Sequence, residues 1–348
     1  MPKQQYVVTP LPLGVSENDK KLFISKSEYK VTLSSVSCKK NIFISHEGLA
    51  LKNGQLLSSA HFNLKGNQDV TFYFPFWKLA MEQYLVSTYG KSLKKRRLNT
   101  GTYLLAHTKW FGYFFWLTST LPRLIKTTAQ HKNLKLIYPE SWKNINYVNE
   151  SLKMFPDLKR EVIPNGVHLQ VKNLCLPATR QWSNAFHPDE VAMTRKFLFG
   201  YLDKKGINLN LGEKIYISRK KAARRKPINE SELEKLLIGN GYKTVCMEDY
   251  DFFEQIGIMR NARAVVGLHG AGLANIQFMP KDSTVIELSP KPAERKDLRI
   301  PFWRLAGVCQ LKYAIQFCDV AKVPPSGGVY EADIEVNVHE LRNKCDLN

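Results

Sequence analysis

The chain has 348 residues, of which 44% are hydrophobic and 24% charged, enough apolar material for one large or two medium domains and no basis for wholesale disorder. Fifty-one Lys and Arg against thirty-one Asp and Glu leave a formal net charge of +20, which points to an anionic partner: nucleic acid, a membrane surface or a phosphorylated small molecule. Six scattered cysteines (Cys38, Cys175, Cys246, Cys309, Cys318, Cys345) contain no C-x-x-C pair, so neither a zinc site nor a disulfide framework is expected, and a reducing compartment is.

Met1 to Lys21 is polar and lacks the charged, then apolar pattern of a signal peptide, which predicts a cytoplasmic protein. The most apolar stretch, Trp110 to Leu117, falls far short of the roughly 20 residues a membrane span needs. Residues 1–60 read as an N-terminal β-hairpin region, with strands at Leu22–Ser25 and Asn41–Ser45 and a tight turn at Lys52-Asn53-Gly54. Residues 61–190 are expected to form a first Rossmann-like domain. Its elements are a strand at Tyr103–Ala106, a helix from about Gly112 to Ala129, a strand at Lys135–Tyr138, a helix at Trp142–Met154 and an extended segment at Val167–Leu176. His187-Pro188-Asp189 then opens a helix to about Lys205 that links to the next domain.

Residues 191–310 repeat the alternation as a second Rossmann-like domain, with strands at Lys214–Ser218, Tyr242–Met247, Ala264–Gly267 and Thr284–Leu288. Asn229 is the expected cap of one helix, and Asp249 and Asp251 start another. Residues 311–348 are a C-terminal segment expected to pack back on the domains. The fold class is therefore α/β, with two Rossmann-like domains facing a cleft where ligands bind at the carboxyl ends of strands.

Chemistry concentrates in two places. A buried strand ends at His269 and turns through Gly270-Ala271-Gly272 into a short helix at Leu273; small side chains there let backbone N–H groups approach an anion. Upstream, the strand ending at Ser218 runs into Arg219, Lys220, Lys221, Arg224, Arg225 and Lys226, with no acid until Glu230. A charge run is most often a solvated loop, but this one follows a strand of the same sheet and so faces the same crevice. Arg219 is the first choice for a diphosphate clamp and Arg225 the second.

Tyr216-Ile217-Ser218-Arg219, Glu254-Gln255-Ile256, the run His269 to Asn275, Phe278-Met279-Pro280 and Val285-Ile286-Glu287 resemble the C-terminal signature of glycosyltransferase family 61. Tyr113, Trp116, Leu121, Pro122 and Arg123 echo its N-terminal motif more loosely. The resemblance implies a two-domain GT-B architecture and an inverting, nucleotide-sugar-dependent glycosyltransferase, in bacterial members concerned with capsular or other surface polysaccharides. It implies as partners a nucleoside-diphosphate sugar donor and a glycan or lipid-linked glycan acceptor. Arg219, Arg225, His269, Gly270, Ala271, Gly272, Leu273, Asn275 and Glu287 would then form the nucleotide-sugar site. Asn275 would either hold the turn or touch a phosphate; Glu287 would bind ribose hydroxyls or pair with Lys291.

The sequence departs from that pattern at Phe115 and Ser119, where related chains carry a His and an acid. The general base is therefore sought elsewhere. His107, just after a strand, is one candidate, with a core histidine as its competing reading; Glu248 is the other, with an exposed turn as its competing reading. Asp249-Tyr250-Asp251 has metal-site spacing but sits where acids cap a helix, so no metal and no cofactor are expected. A basic nucleic-acid-binding protein and a non-catalytic sugar-nucleotide binder are the alternatives. Nucleic acid is disfavoured because no recognition motif accompanies the basic runs. The charge left over, including Lys91 to Arg97, suggests attraction to an anionic membrane surface.

Overall fold

The computed structural model describes residues 4–46, 48–57, 95–108, 110–180, 183–292, 298–325 and 327–346. The chain divides into two compact units, one of Met1–Gln5 with Lys30–Phe197 and the other of Tyr6–Tyr29 with Leu198–Asn348. Its described strands, in chain order, are β1 (Gln4–Val8), β2 (Glu28–Thr32), β3 (Val36–Ile44), β4 (Ala50–Lys52), β5 (Gln55–Leu56), β6 (Lys95–Leu98), β7 (Thr102–Leu104), β8 (Leu134–Pro139), β9 (Lys159–Ile163), β10 (His168–Pro177), β11 (Lys214–Ile217), β12 (Lys243–Val245), β13 (Ala264–Leu268), β14 (Thr284–Pro290), β15 (Lys312–Lys322) and β16 (Asp333–Glu335). Among the described residues, no helix is long and apolar enough to cross a membrane.

The first unit is a mixed sheet in the order β5-β4-β3-β10-β7-β8-β9, with β6 beside β10. Strands β10, β7, β8 and β9 run parallel, and β3 pairs antiparallel with β10 over its whole length. The β4–β5 hairpin has Asn53 and Gly54 both at positive φ, 51° and 77°, as the tightest hairpin turn requires. The helix expected from about Gly112 is continuous in direction but changes type. It starts as a short α-turn, widens to π-helix over Trp116–Thr120 and becomes α-helix at Leu121–Gln130. The segment Trp142–Met154, expected as one helix, is a short α-helix at Asn146–Ser151 flanked by 3-10 turns.

The second unit is a six-stranded sheet in the order β12-β11-β13-β14-β15-β16, parallel except for β16 at its edge. Strands β13 and β14 are buried at every position, which is why they read as unbroken apolar runs: both faces of a parallel sheet are covered. Tyr216, Leu237, Val266, Ile286, Leu288 and Leu341 meet in one core on that sheet.

Three boundary expectations change. Leu22–Ser25 is not a strand but lies at the end of helix Glu17–Ile24, because Ser16 caps it by accepting from the Asp19 N–H and two acids occupy its first turn. That helix buries Phe23 edge-on against Trp303 at 4.9 Å, so residues 6–29 join the second unit instead of forming an independent region over 1–60. The segment expected to pack back from residue 311 is structural: β15 and β16 complete the sheet of the second unit. The boundary between units falls inside helix Pro188–Lys205, at Phe197 and Leu198 and not at 190.

Candidate anion and proton-transfer site

Counted within the second unit, the strand order is 2-1-3-4-5 with an antiparallel sixth strand, so the chain reverses direction across the sheet between β11 and β13. Outside the carboxyl ends of those two strands lies the crevice where open parallel sheets bind ligands. Both stretches singled out in the sequence end there.

At the end of β11, Glu230 fastens the strand. Its Oε1 accepts from Ser218 Oγ at 2.6 Å and from Tyr216 OH at 3.1 Å, and Ser218 is itself buried. Asn229, expected as a side-chain cap, instead bridges to Val336, donating to its carbonyl and accepting from its N–H. The loop that follows is closed by Arg219. Its Nε donates to the Arg225 carbonyl at 2.7 Å and its Nη2 to the Arg224 carbonyl at 3.1 Å. Nη1 is left beside the glycine turn with no acceptor among the described residues: a Cβ placed on Gly270 would meet it at 3.0 Å. Burial, then Arg225, pulls the Arg219 pKa below its ordinary value, with Glu248 opposing.

Four of the other five cations of the basic run face acids, and the fifth, Lys226, donates its Nζ to the Lys220 carbonyl at 3.3 Å. Lys220 bonds Glu234, Lys221 bonds Asp249, Arg224 reaches Glu331 at 2.9 Å, and Arg225 lies 3.8 Å from Glu331. Arg225 thus contributes its carbonyl to the loop and its charge to Glu331. A cationic strip for a nucleic-acid backbone would leave these charges uncompensated, and this loop does not.

Across the crevice, His269 N–H is held by the Leu288 carbonyl, and a 3-10 helix begins at Ala271, two residues before the expected start. Gly270 caps it without a side chain, so the first N–H groups, of Ala271 and Gly272, stand at an open helix end. Leu273 does not join them: its N–H is spent on the Gly270 carbonyl and its side chain is buried. Asn275 is fully buried and donates to Gln255 Oε1 at 3.1 Å, which in turn holds the Met247 and Tyr250 carbonyls. Asn275 is therefore tied through Gln255 to helix Phe252–Asn261.

Glu287 is 1% exposed, yet it is partnered by neither Lys291 nor solvent. Its Oε1 lies 2.5 Å from His269 Nδ1 and its Oε2 accepts from Tyr313 OH. A buried carboxylate is tolerable only when so paired. The bond to Nδ1 directs the other imidazole nitrogen, Nε2, away from Glu287, as a carboxylate does for a histidine that moves protons. Phe302 and Tyr330 pack edge-on against the imidazole at 5.1 and 5.0 Å and fix its plane. Tyr313 stands well above its ordinary pKa because it is buried and faces Glu287, so it remains a donor. Sequence reading missed Tyr313 and Glu230, and nothing local to Tyr313 signals its role.

The two base candidates separate. Glu248 lies on an exposed 3-10 turn after β12, close enough for its charge to act on Arg219. His107, in the first unit, is 8% exposed and stacks edge-on to Trp142 at 4.8 Å. Its Nδ1 is buried without a partner among the described residues, and burial with Arg123 lowers its pKa to about 3. An imidazole that holds its proton so weakly is a poor general base; here the core reading of His107 prevails. Arg123 acts nearby as a clamp, donating to the Ala106 carbonyl at 2.6 Å and to the Pro177 carbonyl at 3.0 Å. The acids with metal-site spacing are otherwise occupied: Asp251 forms a capping box with Glu254, and Asp249 pairs with Lys221. Of the basic run Lys91 to Arg97, residues 91–94 lie outside the described residues.

Residues 113–286 match the family described as Glycosyltransferase 61, which is half of the chain. Over 122 residues the chain is 30% identical to protein O-linked-mannose β-1,4-N-acetylglucosaminyltransferase 2 of Homo sapiens, and equally to those of Pan troglodytes and Mus musculus. The matched stretch covers 34% of this chain and 21% of each of these relatives.

Proposed function

Because the chain belongs to the glycosyltransferase 61 family, we propose that it is an inverting, metal-independent glycosyltransferase of GT-B type. It moves a sugar from a nucleoside-diphosphate donor to a hydroxyl of a glycan. The observation that carries this reading is the unspent Nη1 of Arg219 set against Gly270 at the switch point of the second sheet.

In this reading the diphosphate lies between Arg219 Nη1 and the N–H groups of Ala271 and Gly272. The acceptor oxygen attacks the anomeric carbon as the bond to the diphosphate breaks. Negative charge then gathers on the leaving group, where preorganised donors lower the barrier. His269, held by Glu287, adds a donor when protonated. Glu248 takes the proton of the acceptor hydroxyl. The curated relatives carry O-linked mannose and N-acetylglucosamine in their names, so a nucleoside-diphosphate N-acetylglucosamine and a mannoside are the first donor and acceptor to test. A glycan linked to lipid at an anionic membrane surface is the second acceptor class, favoured by the +20 charge.

Titration calorimetry with nucleoside diphosphates, followed by a transfer assay read by mass, tests the reading. Binding of a diphosphate that Arg219→Ala weakens about 30-fold supports it. A folded protein that binds no nucleoside diphosphate overturns it.

A further inference from the structure

Cys38 and Cys175 are 137 positions apart in sequence and directly opposite each other in the antiparallel register of β3 and β10. Facing residues of such a pair have Cα atoms about 4.5 to 5.5 Å apart, inside the range a disulfide spans. Their Sγ atoms lie 2.7 Å apart. His131, the residue that ends helix Leu121–Gln130, completes the cluster: its ring nitrogen and both sulfurs all lie within 4.8 Å of one another. Cys38 is exposed and Cys175 is buried.

We propose that Cys38 and Cys175 form a reversible cross-strand disulfide, closed by exchange with a small or protein disulfide such as oxidised glutathione. The exposed Cys38 thiolate attacks one sulfur of the reagent, expelling the first thiolate and leaving a mixed disulfide. Cys175 then gives its proton to His131 and attacks the Cys38 sulfur, expelling the second thiolate. The reagent is reduced by two electrons to two thiols, and the pair is oxidised by two. The division of labour follows from burial. Cys38 is reachable by a reagent, whereas Cys175, raised to about 12 by burial and by its bond to Cys38, needs an internal acceptor for its proton. Closure ties together two strands whose loop is long, the case in which a crosslink removes most freedom from the unfolded chain.

The test uses the full chain, reduced and then equilibrated with oxidised glutathione, with and without a chelator. Free thiols are counted, and the protein is digested without reductant for mass analysis. The expected result is a loss of two thiols, a linked peptide pair containing Cys38 and Cys175, and a melting temperature above that of the reduced protein. Dithiothreitol should reverse all three, and Cys38→Ser should show none of them. His131→Ala should leave the bridged state attainable but slow its closure from the mixed disulfide. Three results overturn the proposal: an unchanged thiol count in folded protein, glutathione adducts on both cysteines without a bridge, or thiols that resist the reagent until zinc is removed. The last would assign the same three side chains to a metal ion.

Discussion

Arg219 Nη1 occupies the space that a side chain on Gly270 would need, 3.0 Å from the position of its Cβ. The φ of Gly270 is 175°, extended backbone that any residue adopts, so what crowds a side chain there is the guanidinium and not the backbone conformation. Arg219→Ala should weaken nucleoside diphosphate binding by roughly 2 kcal/mol, about 30-fold, through loss of a charge-assisted hydrogen bond. Gly270→Ala should weaken it in the same direction by displacing the guanidinium, with the fold retained. Calorimetry on both variants checks this, and full affinity in Arg219→Ala would remove that residue from the site.

Tyr313 is the donor that keeps one oxygen of the buried Glu287 satisfied. Tyr313→Phe should destabilise the protein at neutral pH by about 1 to 3 kcal/mol, the usual cost of leaving a buried acceptor unpaired. The difference is pH-dependent. Because the folded pKa of Tyr313 is raised, the folded state keeps this proton above the unfolded value near 10 while the unfolded chain releases it, so wild-type stability falls as pH rises past that point. Urea titrations at pH 7 and above pH 10 should show the gap between wild type and variant narrowing at the higher pH.

Asp251 accepts from the N–H groups of Phe253 and Glu254, each at 2.8 Å, while Glu254 reaches back to the Asp251 N–H at 2.9 Å. Asp251→Ala should cost about 1 kcal/mol of stability, as loss of a helix cap does. Transfer activity below the melting transition should be unchanged in this variant and insensitive to chelators. A variant that stays fully stable but loses activity restorable by divalent cations would assign the two acids to a metal.

His107 binds a proton only near pH 3 when folded, against 6.5 for the free side chain. Between those values the unfolded chain holds a proton the native state lacks, so stability rises with pH by up to about 1.4 kcal/mol per unit and is lost on acidification. In His107→Gln the dependence of stability on pH between about 4 and 6 should be shallower than in wild type. Denaturant titrations across that range measure it, and parallel slopes would contradict the buried neutral state.

Glu248 is the exposed carboxylate at the mouth of the site. Glu248→Gln should lower kcat about 100-fold or more, the usual contribution of a general base, while leaving nucleoside diphosphate affinity within a few-fold. Initial rates with saturating donor and a diphosphate titration separate these two effects. An unchanged kcat would place the base elsewhere.

Much of this protein is legible along the chain because the signals are short-ranged. The apolar runs of β13 and β14, the hairpin at Asn53-Gly54, the acid cap at Asp251 and the basic loop after Ser218 each depend on neighbours within a turn or a strand. Helix Glu17–Ile24 replaces the expected strand at Leu22–Ser25 because the same kind of signal, Ser16 with Glu17 and Asp19, outweighs a few apolar residues. What periodicity cannot encode is which ends meet. The order 2-1-3 of the first three strands in the second sheet sets Arg219 against Gly270, and strand register sets Cys38 opposite Cys175. The side-chain chain Tyr313–Glu287–His269 spans three segments that only the folded sheet brings together. The sequence by itself thus determined which residue types stand at the two strand ends, Arg219 and the small residues of the turn among them. The tertiary structure decided which of them keep a free donor, because each buried charge must find a partner, and that choice is made across the sheet and not along the chain.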